Sequence, residues 1–146
     1  MDIKIRRAQP NDAQRIWEIR NEPAALAVAA NPEIIPLAQH IAWFNNKYVT
    51  DKNSICFVAE ADQNVVGYSR FDLDKAHYVN SIAIVSSMHG KGIGTLLLKQ
   101  SIDQLKPSLP VHAEVRKFNT VSIKMFERVG FKKVSEDDKN IYFQLT

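Results

Sequence analysis

The sequence predicts an α/β fold: one domain over residues 1–146, built on a mixed sheet in the order β-α-α-β-β-β-α-β-α-β-β. Three observations predict it. Apolar alternation of period two and apolar stripes of helical period trade places along the whole chain. A turn reading HGKGIG at residues 89–94 joins an apolar, β-branched run to a helical pattern and holds three of the chain's five glycines. That turn follows the fourth predicted strand, after an antiparallel meander, whereas a dinucleotide-binding fold would place it after the first.

Each element has a local reason. Ile3 and Ile5 alternate with Lys4 and Arg6, a first strand. Pro10, Asn11 and Asp12 give a turn and a helix cap, after which Ala13, Ile16, Trp17 and Arg20 recur at helical spacing. Asn21, Glu22 and Pro23 end that helix. Residues 24–33 are alanine-rich, bounded by prolines and ambiguous. Pro36 can open the next helix, with the stripe Leu37, His40, Ile41 and Phe44. Residues 54–60 and 65–71 form a hairpin about a turn at Gln63 and Asn64. Residues 72–75 turn the chain into a strand over 76–85. The glycine turn leads into a helix with Ile93, Leu97, Leu98, Ile102 and Leu105 on one face, stopped before Pro107. A strand at 111–115, a helix at 120–129 and strands at 131–134 and 141–145 complete the chain.

Composition excludes several classes. Hydrophobic residues at 45% and charged residues at 24% are ordinary for a globular domain. No apolar run approaches the roughly 20 residues of a membrane span. The N-terminal MDIKIRRA lacks the apolar core of a signal peptide, and a cytoplasmic location is expected. The lone Cys56 excludes an internal disulfide and a cysteine-rich zinc site, and its setting in ICFVA marks it as a small buried hydrophobe. No metal site is expected. A net charge of +3, with no RRM, KH or zinc-finger signature, gives no case for nucleic acid and suits a polyanionic ligand equally well.

The glycine turn has the chemistry of a phosphate site. It sets backbone N–H groups at a helix N-terminus with no Cβ in the way. Neither the P-loop pattern nor the dinucleotide fingerprint is matched. The pattern [QR]-x-x-G-x-G is, with His89 in the first place, Gly92 in the fourth and Gly94 in the sixth. In this the chain resembles the acetyl-coenzyme-A loop of the GNAT superfamily of N-acetyltransferases, from which His89 departs, Gln or Arg being usual. A second motif, N-x-x-[AS]-x-x-x-[YF]-x-x-x-G-F, is filled by Asn119, Ser122, Phe126, Gly130 and Phe131. The element order is similar to the whole GNAT fold.

The resemblance implies acetyl-CoA as cofactor, held between two splayed parallel strands. Its phosphates are expected on His89, Gly90, Lys91, Gly92, Ile93, Gly94 and Thr95. The acetyl carbonyl is expected at the backbone of Ile84 and Val85, and further contacts at Asn119, Ser122 and Phe126. Acetyl transfer needs a base for the amine, donors for the oxyanion and a proton for the thiolate. AEVRKFN resembles the EVRxxN of protein N-terminal acetyltransferases and makes Glu114 the first candidate base. His77, Tyr78 or Asn80 could instead hold a proton-carrying water. Phe126 stands where many relatives have a Tyr donor, which leaves the thiolate's proton to water, Ser122 or Tyr142.

The acceptor is expected to be a small-molecule amine. Arg20, Asn21, Glu22 and Pro23, with His40, Trp43 and Phe44, resemble acetyltransferases that modify the 4-amino group of nucleotide-linked amino-dideoxy sugars in pseudaminic acid synthesis. Arg20, Asn21, His40 and Asn80 are accordingly expected to bind substrate. The alternatives are a protein or peptide N-terminal amine, or an acetyl-CoA-binding module without catalysis.

Overall fold

The computed structural model describes residues 2–29, 31–51 and 53–146. Seven strands form one sheet in the order β1-β2-β3-β4-β5-β7-β6: β1 Ile3–Arg7, β2 Ile55–Ala61, β3 Asn64–Asp74, β4 His77–Ile84, β5 Val111–Arg116, β6 Lys132–Glu136 and β7 Asn140–Leu145. Helices are α1 Ala13–Arg20, α2 Pro23–Val28, α3 Leu37–Phe44, α4 Ile93–Leu105 and α5 Thr120–Val129. A π-helical segment, Asn45–Thr50, continues α3. The expected mixed α/β architecture is present, with one further helix. The alanine-rich stretch forms α2, which buries none of its side chains, so the sequence shows no apolar stripe there.

Small shifts separate the expected boundaries from the observed ones. Pro36 is the N-cap of α3, with ψ 142, rather than its first residue. The β2–β3 turn falls on Asp62 and Gln63, both left-handed (φ 50 and 71), one residue earlier than expected. The pair belongs to the tight hairpin class in which both central residues take positive φ. β3 runs on to Asp74, which leaves Lys75 and Ala76 as the turn into β4. β6 starts at Lys132, after the buried Phe131, and is exposed throughout.

The two faces of the sheet are told apart by residue parity. Ser101 of α4 donates to Ser69 at 3.1 Å, which puts α4 on the face of Ser69, Phe71, Asn80 and Ile82. Tyr68 and Arg70 point the other way and share a small cavity with Arg20 of α1 and His40, Trp43 and Phe44 of α3. The core is filled by Phe57, Phe71, Leu97, Leu98, Val111 and Phe143, each 2% exposed or less. Cys56 is buried here, and burial pushes its thiol pKa up. No helix of the described residues is long and apolar enough to cross a membrane.

Candidate active site

All neighbouring strands are antiparallel except β4 and β5, which pair in parallel at only two positions, Tyr78↔Val111 and Val79↔His112. Beyond Val79 the two strands part. Tyr78 N–H reaches Pro110 O on the β5 side at 2.9 Å, and Val85 N–H reaches back to Val66 O at 2.8 Å. Bonding direction alternates residue by residue along an antiparallel strand. With β3 and β4 in unbroken register, Asn80, Ile82 and Ile84 therefore turn their backbone N–H and C=O toward the gap. Val85 does not: its N–H is already bonded to β3. It is thus removed as a backbone donor to the acetyl carbonyl. Ile84 retains its N–H, while its C=O accepts from His89 Nε2 at 2.8 Å.

The parting leaves a cleft of about 300 Å³. Its walls are residues 79–83 of β4 and Glu114, Val115 and Arg116 of β5, with Asn119, Ser122 and Phe126 at the α5 side and α2 over the opening. Asn119 is the N-cap of α5, its Oδ1 accepting from Ser122 N–H at 3.3 Å. Phe126 is 4% exposed and packs on Phe131 and Phe143, with ring centroids at 5.0 and 6.0 Å. It closes the base of the cleft as a hydrocarbon surface.

At the head of α4 the chain makes its phosphate-type turn. Gly90 and Gly92 are left-handed (φ 79 and 77), and nothing lies within 4 Å of where a Cβ would stand. Leu96 N–H bonds back to Gly92 O at 3.2 Å, so the N–H groups of Ile93, Gly94 and Thr95 before it have no helical carbonyl to reach. Gly94 has a different reason to be glycine: a Cβ there would sit 3.1 Å from Met125 Sδ, and α4 and α5 pack at that point. The exposed ring of His89 folds back on Ile84 O and pins the turn to the end of β4. These features fit a coenzyme with a pyrophosphate and peptide-like amides. Open backbone room and free N–H groups meet the anion, with a dipole contribution of about 0.3–1 kcal/mol, and the unpaired edge of β4 meets the amides.

Glu114 lines the cleft and is exposed. Its Oε1 accepts from Asn140 Nδ2 at 2.7 Å, and Asn140 Oδ1 accepts from Arg116 at 3.2 Å. Arg116 also donates to Ala29 O at 3.2 Å. One amide on β7 thus holds both charged side chains of β5, a partner that sequence reasoning missed because it lies 26 residues away. His77 and Tyr78 sit instead at the closed end of the β4–β5 pair, outside the cleft lining. His77 stacks on His112 with centroids 3.9 Å apart. Burial and then the neighbouring His77 charge hold His112 below its ordinary pKa. Neither expected candidate, His77 or Tyr78, is among the residues that line the cleft. Tyr142 donates to Asp137 at 2.6 Å, which occupies its proton.

Of the four expected substrate residues, two line the cleft. Arg20 does, and so does Asn80. Asn80 Nδ2 donates to Ser69 Oγ at 3.0 Å and Arg70 O at 3.2 Å, while its buried Oδ1 has no partner among the described residues. Asn21 ends α1 and lies outside the lining. His40 is 1% exposed and donates through Nε2 to Ala13 O at 2.9 Å, tying α3 to α1 behind the cleft. Burial, and then the Arg20 and Arg70 charges, lower its pKa. In the structure the contacts of this expected substrate residue are within the fold.

Arg70 on β3, unmarked in the sequence, also lines the cleft. It donates to Asp72 at 2.7 Å and to Tyr48 Oη at 3.3 Å, lies over Trp43 at 5.5 Å, and Tyr48 in turn bonds Asp72. Burial foremost pushes the Tyr48 pKa up, which keeps this phenol protonated as a donor.

Comparison with known proteins places these features. Residues 11–131 match the acetyltransferase (GNAT) family. An N-alpha-acetyltransferase of Sulfurisphaera tokodaii is 30% identical across 91% of this chain and 82% of that protein. An N-alpha-acetyltransferase of Saccharolobus solfataricus is 28% identical over the same shares. Among solved structures, the yncA protein of Salmonella typhimurium, with its cofactor acetyl-CoA, superposes with a TM-score of 0.84 at 22% identity, over 99% of this chain and 93% of that one.

Proposed function

Since the chain belongs to the acetyltransferase (GNAT) family and is an acetyl-CoA-dependent N-acetyltransferase, we propose that its acceptor is an α-amine, the N-terminal amine of a peptide or protein. One observation carries this reading: Glu114, held by Asn140, stands on the cleft wall opposite the free edge of β4. A carboxylate there can deprotonate an ammonium that enters between the walls. Two relatives named N-alpha-acetyltransferase, each aligned over 91% of this chain, favour the same acceptor.

The donor supplies an activated acyl thioester when bound. The turn at Gly90, Lys91 and Gly92 and the N–H groups of Ile93, Gly94 and Thr95 hold its phosphates. Asn119 and Ser122 line its path, and Asn80, Ile82 and Ile84 offer backbone groups to its amides and acyl oxygen. Glu114, directly or through one water, would take a proton from the ammonium and leave the amine a free lone pair for the thioester carbon, the acetyl group passing from sulfur to nitrogen. The second amine proton passes to the departing sulfur through solvent, because Phe126 has none to give.

A nucleotide-linked amino sugar is the second reading, favoured by Arg20 in the cleft. A thiol-release screen with mass spectrometry of the products separates the two. We expect Nα-acetylated peptides; turnover confined to amino sugars would overturn the α-amine reading.

A further inference from the structure

The acceptor end of the cleft carries an excess of positive charge. Among the described residues, four charged side chains line the cleft: Arg20, Arg70, Arg116 and one carboxylate, Glu114. Asp72 pairs with Arg70 at 2.7 Å but also faces Lys47 at 3.5 Å, so that group as a whole stays cationic. Arg116 is held by two neutral acceptors, Asn140 Oδ1 and Ala29 O. Arg20, in the last turn of α1, pairs with no carboxylate among the described residues, yet it lines both the cleft and the small cavity beneath it beside Arg70. Guanidiniums grouped in a concave, half-buried site are suited to bidentate recognition of planar or tetrahedral oxyanions.

We propose that Arg20 and Arg70, with Arg116 on the facing wall, form an anion subsite that binds a carboxylate or phosphoryl group carried by the acceptor close to its amine. This deepens the amine-acceptor reading and rests on it. The subsite has a built frame. Trp43 and the Tyr48–Asp72 pair fix Arg70, and Asn140 fixes Arg116. Arg20 alone is left to adjust to the ligand. The same frame interposes Asn140 between Glu114 and Arg116, so a base and an anion site can coexist in one cleft.

The test compares acceptor pairs that differ by one anionic group, by calorimetry on protein saturated with coenzyme A and by initial rates with acetyl-CoA. One pair is a peptide with Glu at its second position against the same peptide with Gln. A second is an amino acid against its amide. A third is a nucleotide-linked amino sugar against the free amino sugar. The pair that discriminates identifies the source of the anion: side-chain carboxylate, α-carboxylate or diphosphate. We expect the anionic member of at least one pair to bind at least tenfold more tightly, a preference that weakens with salt and falls below about threefold in Arg20→Gln, a variant that breaks no side-chain bond among the described residues. No charge preference in any pair, or one that survives in Arg20→Gln, overturns the subsite. Failure of the α-amine reading looks different: the charge preference remains but appears only with the amino sugar.

Discussion

The proposed donor and acceptor ends of the site are built from different materials. The proposed donor end is almost bare of side chains: two left-handed glycines, the first N–H groups of α4 and the unpaired edge of β4. The proposed acceptor end is dense with them, as Arg20 and Arg70 of the cleft lining meet Tyr48, Asp72 and Trp43 behind it, from four elements. A backbone site tolerates change at most positions, since any residue supplies an N–H, and fails at the few where a side chain intrudes. A side-chain network depends on each member and can be retuned by one substitution. The first suits a fixed donor and the second a variable acceptor.

The strongest way to break this contrast is to put a side chain into the bare end. Gly92→Asp should weaken acetyl-CoA binding by calorimetry more than 100-fold, because its carboxylate stands where phosphate belongs. The left-handed conformation costs the fold about 1–2 kcal/mol, and open space at that position keeps it folded. Unchanged affinity in a cooperatively melting variant would remove the turn from the donor site. Gly94→Asp is a poorer probe, since its Cβ meets Met125 and disturbs α4 against α5.

Next in size is Glu114, the proposed base on the cleft wall. Glu114→Gln should lower kcat/KM by about 10²-fold, the low end of general-base contributions, with the deficit greatest at low pH and acetyl-CoA affinity retained. Overlaying pH–rate profiles would leave Glu114 structural.

Within the acceptor network, Tyr48→Phe removes the bonds to Asp72 and Arg70 without altering ring packing. It should destabilise by about 1–2 kcal/mol, read as a melting-temperature drop of about 3–6 °C. A melting curve superposed on wild type would mean that the network orders little.

Phe126→Tyr sharpens the comparison from the donor side by adding a hydroxyl at the base of the cleft. Turnover should be unchanged or raised by no more than about tenfold, or 1.4 kcal/mol of barrier. A larger gain would make proton delivery to sulfur the slow step.

The smallest effect is on pH. His40 is depressed in the folded state, so the unfolded chain binds the proton first. Its contribution to stability is full above the unfolded value of about 6.5 and is lost as pH falls below it. Melting temperature should decline from pH 7.5 to 5.5, and less so in His40→Gln; equal slopes would assign the decline elsewhere.

The same contrast explains what could be read from the residues alone. The glycine turn and Asn119 with Ser122 are local: their bonds close within six residues, so their spacing is in the sequence. The order of elements along the chain was legible because apolar, β-branched runs mark the central strands, buried continuously in β2 and β3 and alternately in β5. β6, exposed throughout, and α2, with nothing buried, carry little of that signal and lost their boundaries or their existence. Arg70 is the one charged residue of the run predicted as a strand at 65–71, and nothing local says that Tyr48 and Trp43 await it. Asn140 opens β7 and reaches Glu114 only because β7 inserts between β5 and β6. His40, expected from the resemblance to bind substrate, is buried and bonded to Ala13 O, a partner 27 residues away that its local sequence does not announce.

The two-position contact between β4 and β5 has a further consequence. It leaves an edge inside the sheet, and unpaired N–H and C=O groups are templates for foreign strands wherever they lie. An internal edge cannot be protected by lysines or bulges without blocking the donor. The coenzyme itself is then the cap, and by mass action it also stabilises the folded chain by RT ln(1 + [L]/Kd). Cells or purifications short of acetyl-CoA would meet this protein in its stickier form: self-association and precipitation should rise as the coenzyme is stripped away and subside when it is restored.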